Sequence, residues 1–108
     1  MAPDTLSQNR KPHEQINKLI HEPARLIILT NLYIVEKADY IYLMRQTGMS
    51  MANLSAHLGK LEAAGIVSIQ KSFKGKKPYT TISLNEDGRA IFREYRSMIE
   101  KVFDDLPD

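Results

Sequence analysis

Apolar residues recur at helical spacing in two early runs, first Ile16, Leu19 and Ile20, then Leu26, Ile27, Ile28, Leu29, Leu32 and Tyr33. The pattern predicts one helix over 13–20 and a second opening at Pro23, whose missing N–H costs nothing in a first helical turn. Residues 1–12 hold two prolines and no apolar period, and are expected to form a flexible arm. Asp39 then stands as an N-cap for a short helix over 40–47, with Gly48 placed for a left-handed C-terminal residue. Ser50 caps a further helix that runs to about Ala64 and stops at Gly65. Beyond it, residues 66–71 and 79–84 alternate as strands, and 72–78, with its Gly, Pro and three lysines, reads as the loop between them. Asn85, followed by the acids Glu86 and Asp87 that a helix dipole favours, opens a last helix over about 86–105.

Only about three residues separate the short helix from the next, which is helix-turn-helix spacing. Adding the hairpin gives a single domain over 13–108 of α+β class, mostly helical. It is a winged helix-turn-helix with a recognition helix at about 50–64 and a two- to three-stranded wing at about 66–84. Terminal helices remain for dimerisation. The stretch Leu54-Ser55-Ala56-His57-Leu58-Gly59-Lys60-Leu61-Glu62-Ala63-Ala64-Gly65-Ile66-Val67, with the lysine-rich hairpin and Leu84-Asn85-Glu86-Asp87-Gly88-Arg89, resembles winged-helix transcriptional regulators of the MarR/ArsR type. That resemblance extends over about residues 14–103 and implies a regulatory role on double-stranded DNA. It departs at the wing tip, where such proteins often carry arginine and this chain has only lysine.

On a helical wheel, Met51, Leu54, Leu58 and Leu61 fall within a sector about 80° wide and are expected to face the core. The opposite face carries Ala52, Ala56, Gly59 and Ala63, edged by Asn53, Ser55, His57 and Lys60. Small residues let a helix backbone approach a major groove, where Asn53 can pair an adenine edge and Lys60 can reach a phosphate or guanine. Ser50, Ala52, Asn53, Ser55, Ala56, His57 and Lys60 are therefore the candidate recognition residues. His57, at the edge, reads as a solvated or phosphate-contacting histidine.

Among 108 residues the net charge is only +2, too small by itself to argue for a polyanionic partner. Its distribution is more informative: Ser50 to Thr81 carries +4 and the remainder −2. Lys71, Lys74, Lys76 and Lys77 thus make the wing a candidate contact to phosphates beside or across the minor groove.

The last helix places Tyr95, Met98, Ile99, Val102, Phe103 and Leu106 in one broad stripe with Ile91 and Phe92. That is longer than a small core can cover. Together with Ile16, Leu19 and Ile20 it is the candidate homodimer interface. Arg89, Arg93 and Arg96 are expected on a solvated face with Glu86, Glu94 and Glu100.

Zero cysteines and three histidines in separate elements leave no metal-ligand pattern, so neither metal nor cofactor is expected. Nucleophile elbows, phosphate loops and His-Glu-x-x-His helices are absent from the sequence, which argues against an enzyme. Lacking a secretion signal and a membrane-length apolar run, the protein is expected in the cytoplasm. The reading is a dimeric repressor or ligand-responsive switch, with any effector left open; a small phenolic or lipid-like molecule near Tyr33, Tyr40, Tyr42 and Tyr95 is one option. The alternative is a winged-helix module whose small-residue face docks a protein partner.

Overall fold

A computed structural model describes residues 17–107. Four helices and one hairpin follow in the order α1 (Pro23–Val35), α2 (Tyr40–Thr47), α3 (Met51–Ala63), β1 (Val67–Lys74), β2 (Lys77–Leu84) and α4 (Glu86–Asp104). This is a winged helix, mostly helical, with α2 and α3 as its helix-turn-helix.

Local chemistry sets nearly every boundary. Asp39 accepts the Tyr42 N–H at 2.7 Å, and Gly48, at φ 73°, closes α2 by donating to Met44 O. Ser50 Oγ accepts the Asn53 N–H at the start of α3. Helix α3 ends in a Schellman arrangement, in which Ile66 N–H reaches Leu61 O and Gly65 N–H reaches Glu62 O, with Gly65 at φ 75°. The expected helix over 13–20 is described only in its second half, where Asn17–Ile20 forms a single turn. Asn17 Oδ1 accepts the N–H groups of Leu19 and Ile20 there and Asn17 O accepts the His21 N–H at 2.8 Å, so Asn17 caps one helical turn. Ile16 and residues 1–12 lie outside the described residues.

Ile20, Ile28, Leu29, Leu32, Leu43, Leu54, Leu58, Leu61, Ile66 and Ile82 are fully buried and form one core under all four helices and the wing base. Met51, expected among them, is 46% exposed instead. Met49, in the turn before α3, packs against the core.

The wing is longer and tighter than the sequence pattern suggests. Pairing continues from Val67↔Leu84 out to Phe73↔Pro78 and Lys74↔Lys77, which leaves only Gly75 and Lys76 as the turn. Gly75 has φ 68° and Lys76 does not share a positive φ, the sign pattern of a type II′ hairpin turn. Pro78 is tolerated because a two-stranded ribbon consists entirely of edges. A third strand is reduced to one antiparallel bridge, Ala38 with Ile82, whose two N–H···O bonds of 2.7 and 2.9 Å fasten the wing base to the start of α2.

Helix α4 is locked to the end of α3. Asn85 caps α4 by accepting the Gly88 N–H at 2.7 Å, while its side-chain amide donates to Gly65 O at 2.8 Å and its own N–H reaches Ile66 O. Gly88 is buried against Ile66, where a β-carbon would lie 1.9 Å from the Ile66 carbonyl oxygen. Glycine is needed here for close approach, not for its backbone angles.

Candidate nucleic-acid interface

Burying Leu54, Leu58 and Leu61 fixes the rotation of α3 and turns its other side outward. Ala52, Asn53, Ser55, Ala56, Gly59 and Lys60 are all exposed on that side. Ser50 is exposed as well, although its hydroxyl is occupied as the helix cap. The outer surface of α3 is therefore shallow along Ala52, Ala56 and Gly59 and polar at its margins.

His57 departs from the expectation for it. Its ring is half-buried, with Nδ1 3.5 Å from Glu22 Oε2 and 3.4 Å from an Arg25 guanidinium nitrogen, so it faces the N-terminus of α1 instead of the open side. Helix geometry explains the turn inward, since position 57 flanks Leu54, Leu58 and Leu61 closely enough for a long side chain to fold back over α1. Glu22, which propensity alone does not mark as a cap, is the N-cap of α1 and accepts the N–H groups of Ala24 at 2.9 Å and Arg25 at 3.0 Å. Pro23 immediately after it was the available sequence signal. The Ala24 N–H bond, followed by the Arg25 N–H bond and the nearby His57 and Arg25 charges, holds the Glu22 carboxyl below its ordinary value against the opposing effect of burial. A lowered carboxyl pKa adds stability above the ordinary carboxylate range and loses it as pH falls through the folded-state value. Glu22→Ala is expected to cost about 1 kcal/mol at neutral pH, a deficit that shrinks on acidification; thermal melts of both proteins from neutral to acid pH check this.

Lys71, Lys74, Lys76 and Lys77 are all exposed on the distal half of the wing. Lys74 Nζ lies 5.2 Å from the centre of the Tyr79 ring, which steadies one of the four charges. Among the described residues neither these lysines nor Lys60 enters an ion pair, so their charges are open to an external anion.

Along α4 and the turn before α1 the expected apolar stripe divides in two. Ile20 and Tyr95 belong to the chain's own core, with Tyr95 Oη 2.7 Å from His21 Nδ1, so neither is a free interface residue. Burial also pushes the Tyr95 phenol up. Leu19 is partly buried against the same core. Met98 and Ile99 are half-buried, whereas Val102, Phe103 and Leu106 stand exposed, the last two by 60% and 63%. Between α1 and α4 lies a largely apolar groove of about 520 Å³, lined in part by Leu26, Tyr33, Ile34, Phe92, Tyr95 and Ile99. It joins Tyr33 with Tyr95 but not with Tyr40 and Tyr42, which pack beside the wing. Arg89 is not on a solvated face: its guanidinium sits 4.9 Å from the Tyr33 ring centre and donates to Tyr33 O. Arg96 does pair with Glu100, at 2.9 Å, as expected.

Similarity to known proteins agrees with this geometry. A family model described as a winged helix DNA-binding domain matches residues 24–103. An uncharacterized protein of Methanocaldococcus jannaschii is 33% identical over 78 residues, which span 72% of this chain and 85% of that one. The structure of a transcriptional regulator homologue from Pyrococcus horikoshii OT3 superposes with a TM-score of 0.77 at 25% identity, covering 95% of this chain and 99% of that one. A MarR-family regulator from Enterococcus faecalis V583 shares the fold, with a TM-score of 0.68 at 19% identity over 94% of this chain and 86% of that one. The match over residues 24–103, with a helix-turn-helix presenting a shallow outer face beside a lysine wing, shows that the chain belongs to the winged helix DNA-binding domain family.

Proposed function

We propose that the protein is a sequence-specific regulator of transcription that binds double-stranded DNA as a homodimer. The observation that carries this is the shallow outer face of α3 beside four exposed wing lysines on a chain whose remaining charge is negative. Helix α3 enters a major groove with Ala52 and Ala56 against the base edges. Asn53 and Ser55 supply polar contacts there, and Lys60 reaches the backbone. The wing lysines neutralise phosphates in the flanking stretch. Two copies place two such helices about one helical turn apart on a pseudo-palindromic site.

Val102, Phe103 and Leu106, left exposed at the end of α4, support the dimer, because a monomer has no use for an apolar helix end of that length. Phe103→Glu is expected to convert a dimer to a monomer by light scattering while leaving the fold intact. A mass unchanged by the substitution would remove α4 from the interface. Either a repressor or a ligand-responsive switch is compatible with this architecture, and the groove between α1 and α4 is the volume available to an effector.

Replacing Lys76 and Lys77 together with alanine tests the wing. If each contacts one phosphate, the slope of log affinity against log salt flattens by about 2 per wing. An unchanged slope would take the wing off the DNA, and failure of the wild type to bind any duplex would favour a protein-docking module instead.

A further inference from the structure

Phe73 is an exposed aromatic residue that the fold does not explain. It lies on β1 two positions before the turn, is 73% exposed, and sits directly across the ribbon from Pro78. Alternation along the strand puts it on the face opposite Lys74 and Tyr79, so the ring takes no part in their cation–π contact. An aromatic ring left in water gains nothing for folding, and at a ribbon end it is a liability for aggregation. Its surroundings select the occupant. Lys71 shares its face of the ribbon, and Lys74, Lys76 and Lys77 crowd the same tip from the other face and the turn, a charge density that suits a polyanion and opposes an apolar protein surface.

We propose that Phe73 is an apolar wedge that enters the minor groove beside the segment contacted by α3 and partly unstacks one base step, so that the wing bends the duplex as well as gripping it. This rests on the DNA-binding reading given above. A B-form minor groove is about 6 Å wide and bounded on both sides by phosphates, which suits a flat ring at the tip of a lysine-rich ribbon. Phenylalanine and proline are among the side chains that act as wedges between base steps. A wedge on the minor-groove side kinks the duplex toward its major groove, the side on which α3 docks. Bending and helix contact therefore reinforce one another. The all-lysine tip fits this division of labour: lysine acts as a point charge on phosphates, and the ring, not a narrow-groove arginine, makes the contact inside the groove. Preference among binding sites then favours flexible pyrimidine–purine steps where the wing lands.

The test uses the full chain and a duplex of about 40 base pairs from upstream of its own coding region, end-labelled for energy transfer, with room for two half-sites a helical turn apart. Wild type is expected to shorten the end-to-end distance on binding. Phe73→Ala is expected to bind about tenfold more weakly and to bend less, with an unchanged salt slope and unchanged melting temperature. Phe73→Leu, which keeps an apolar wedge, should retain most of the bend. Equal bending and affinity in wild type and Phe73→Ala would overturn the wedge while leaving DNA binding intact, as would a wild-type complex with no bend. Absence of wild-type binding at low salt would overturn the DNA-binding reading and the wedge together.

Discussion

Replacing Gly88 with alanine is expected to destabilise the protein by about 3 kcal/mol, at the upper end of the usual cost of overpacking. On helix propensity alone the change should help by about 1 kcal/mol, since alanine outranks glycine in a helix. Geometry decides the sign. The new β-carbon would fall 1.9 Å from the Ile66 carbonyl oxygen, and a backbone atom cannot rotate away as a side chain can. The start of α4 must therefore lift off the α3–β1 corner, straining the Asn85 bonds to Gly65 and Ile66. For a domain of this size the melting temperature should drop by more than about 10 °C. Gly59→Ala is the matched control: beyond its chain neighbours and its own helix backbone no atom of the described residues lies within 4 Å of the added carbon, so that variant should be as stable as wild type or slightly more so. Equal stability of the Gly88 and Gly59 variants in thermal melts would contradict the close packing described here.

Ala56→Glu is expected to remove DNA binding without unfolding the protein. Ala56 is exposed and centred on the side of α3 away from Leu54, Leu58 and Leu61. Surface substitutions of this kind change stability by about 0.5 kcal/mol or less, so the melting temperature should hold. Placing a carboxylate in the groove sets like charges against one another at a cost of several kcal/mol, equivalent to an affinity loss of at least about 100-fold. Fluorescence anisotropy with any duplex that the wild type binds will show it. An Ala56→Glu protein that binds as tightly as wild type would move the interface away from α3.

Much of the fold was legible because its signals are local. Asp39, Ser50 and Asn85 cap three helices at the positions their side chains favour, and Gly48 and Gly65 end two of them with positive φ. The resemblance to winged-helix regulators rested on two separated segments, Leu61-Glu62-Ala63-Ala64-Gly65-Ile66-Val67 and Asp87-Gly88-Arg89. Their separation in sequence closes in space: Gly88 packs on Ile66 while Asn85 binds Gly65. What escaped the sequence depends on which of two local options tertiary packing selects. Gly75 and Pro78 both mark a turn, and only the completed ladder shows that Gly75 makes it while Pro78 lies in the strand. Met51 fits the apolar sector of α3 but stands 46% exposed, while Met49 packs against the core. His57 stands at a wheel edge where either side is open to it, and it folds back against Glu22 and Arg25 at the start of α1. Periodicity found the stripe on the last helix but could not divide it, since covering Tyr95 requires His21 and the turn before α1.

Binding of the intact protein to duplex DNA at about 50 and 200 mM salt, with the mass of the complex determined in parallel, decides whether α3 and the wing together form a DNA interface. A dimer is expected on the duplex, with an affinity that falls by about 10³-fold or more across that range as two recognition helices and two lysine wings displace counterions from six or more phosphates. Absence of binding at the lower salt, or binding indifferent to salt, would contradict it.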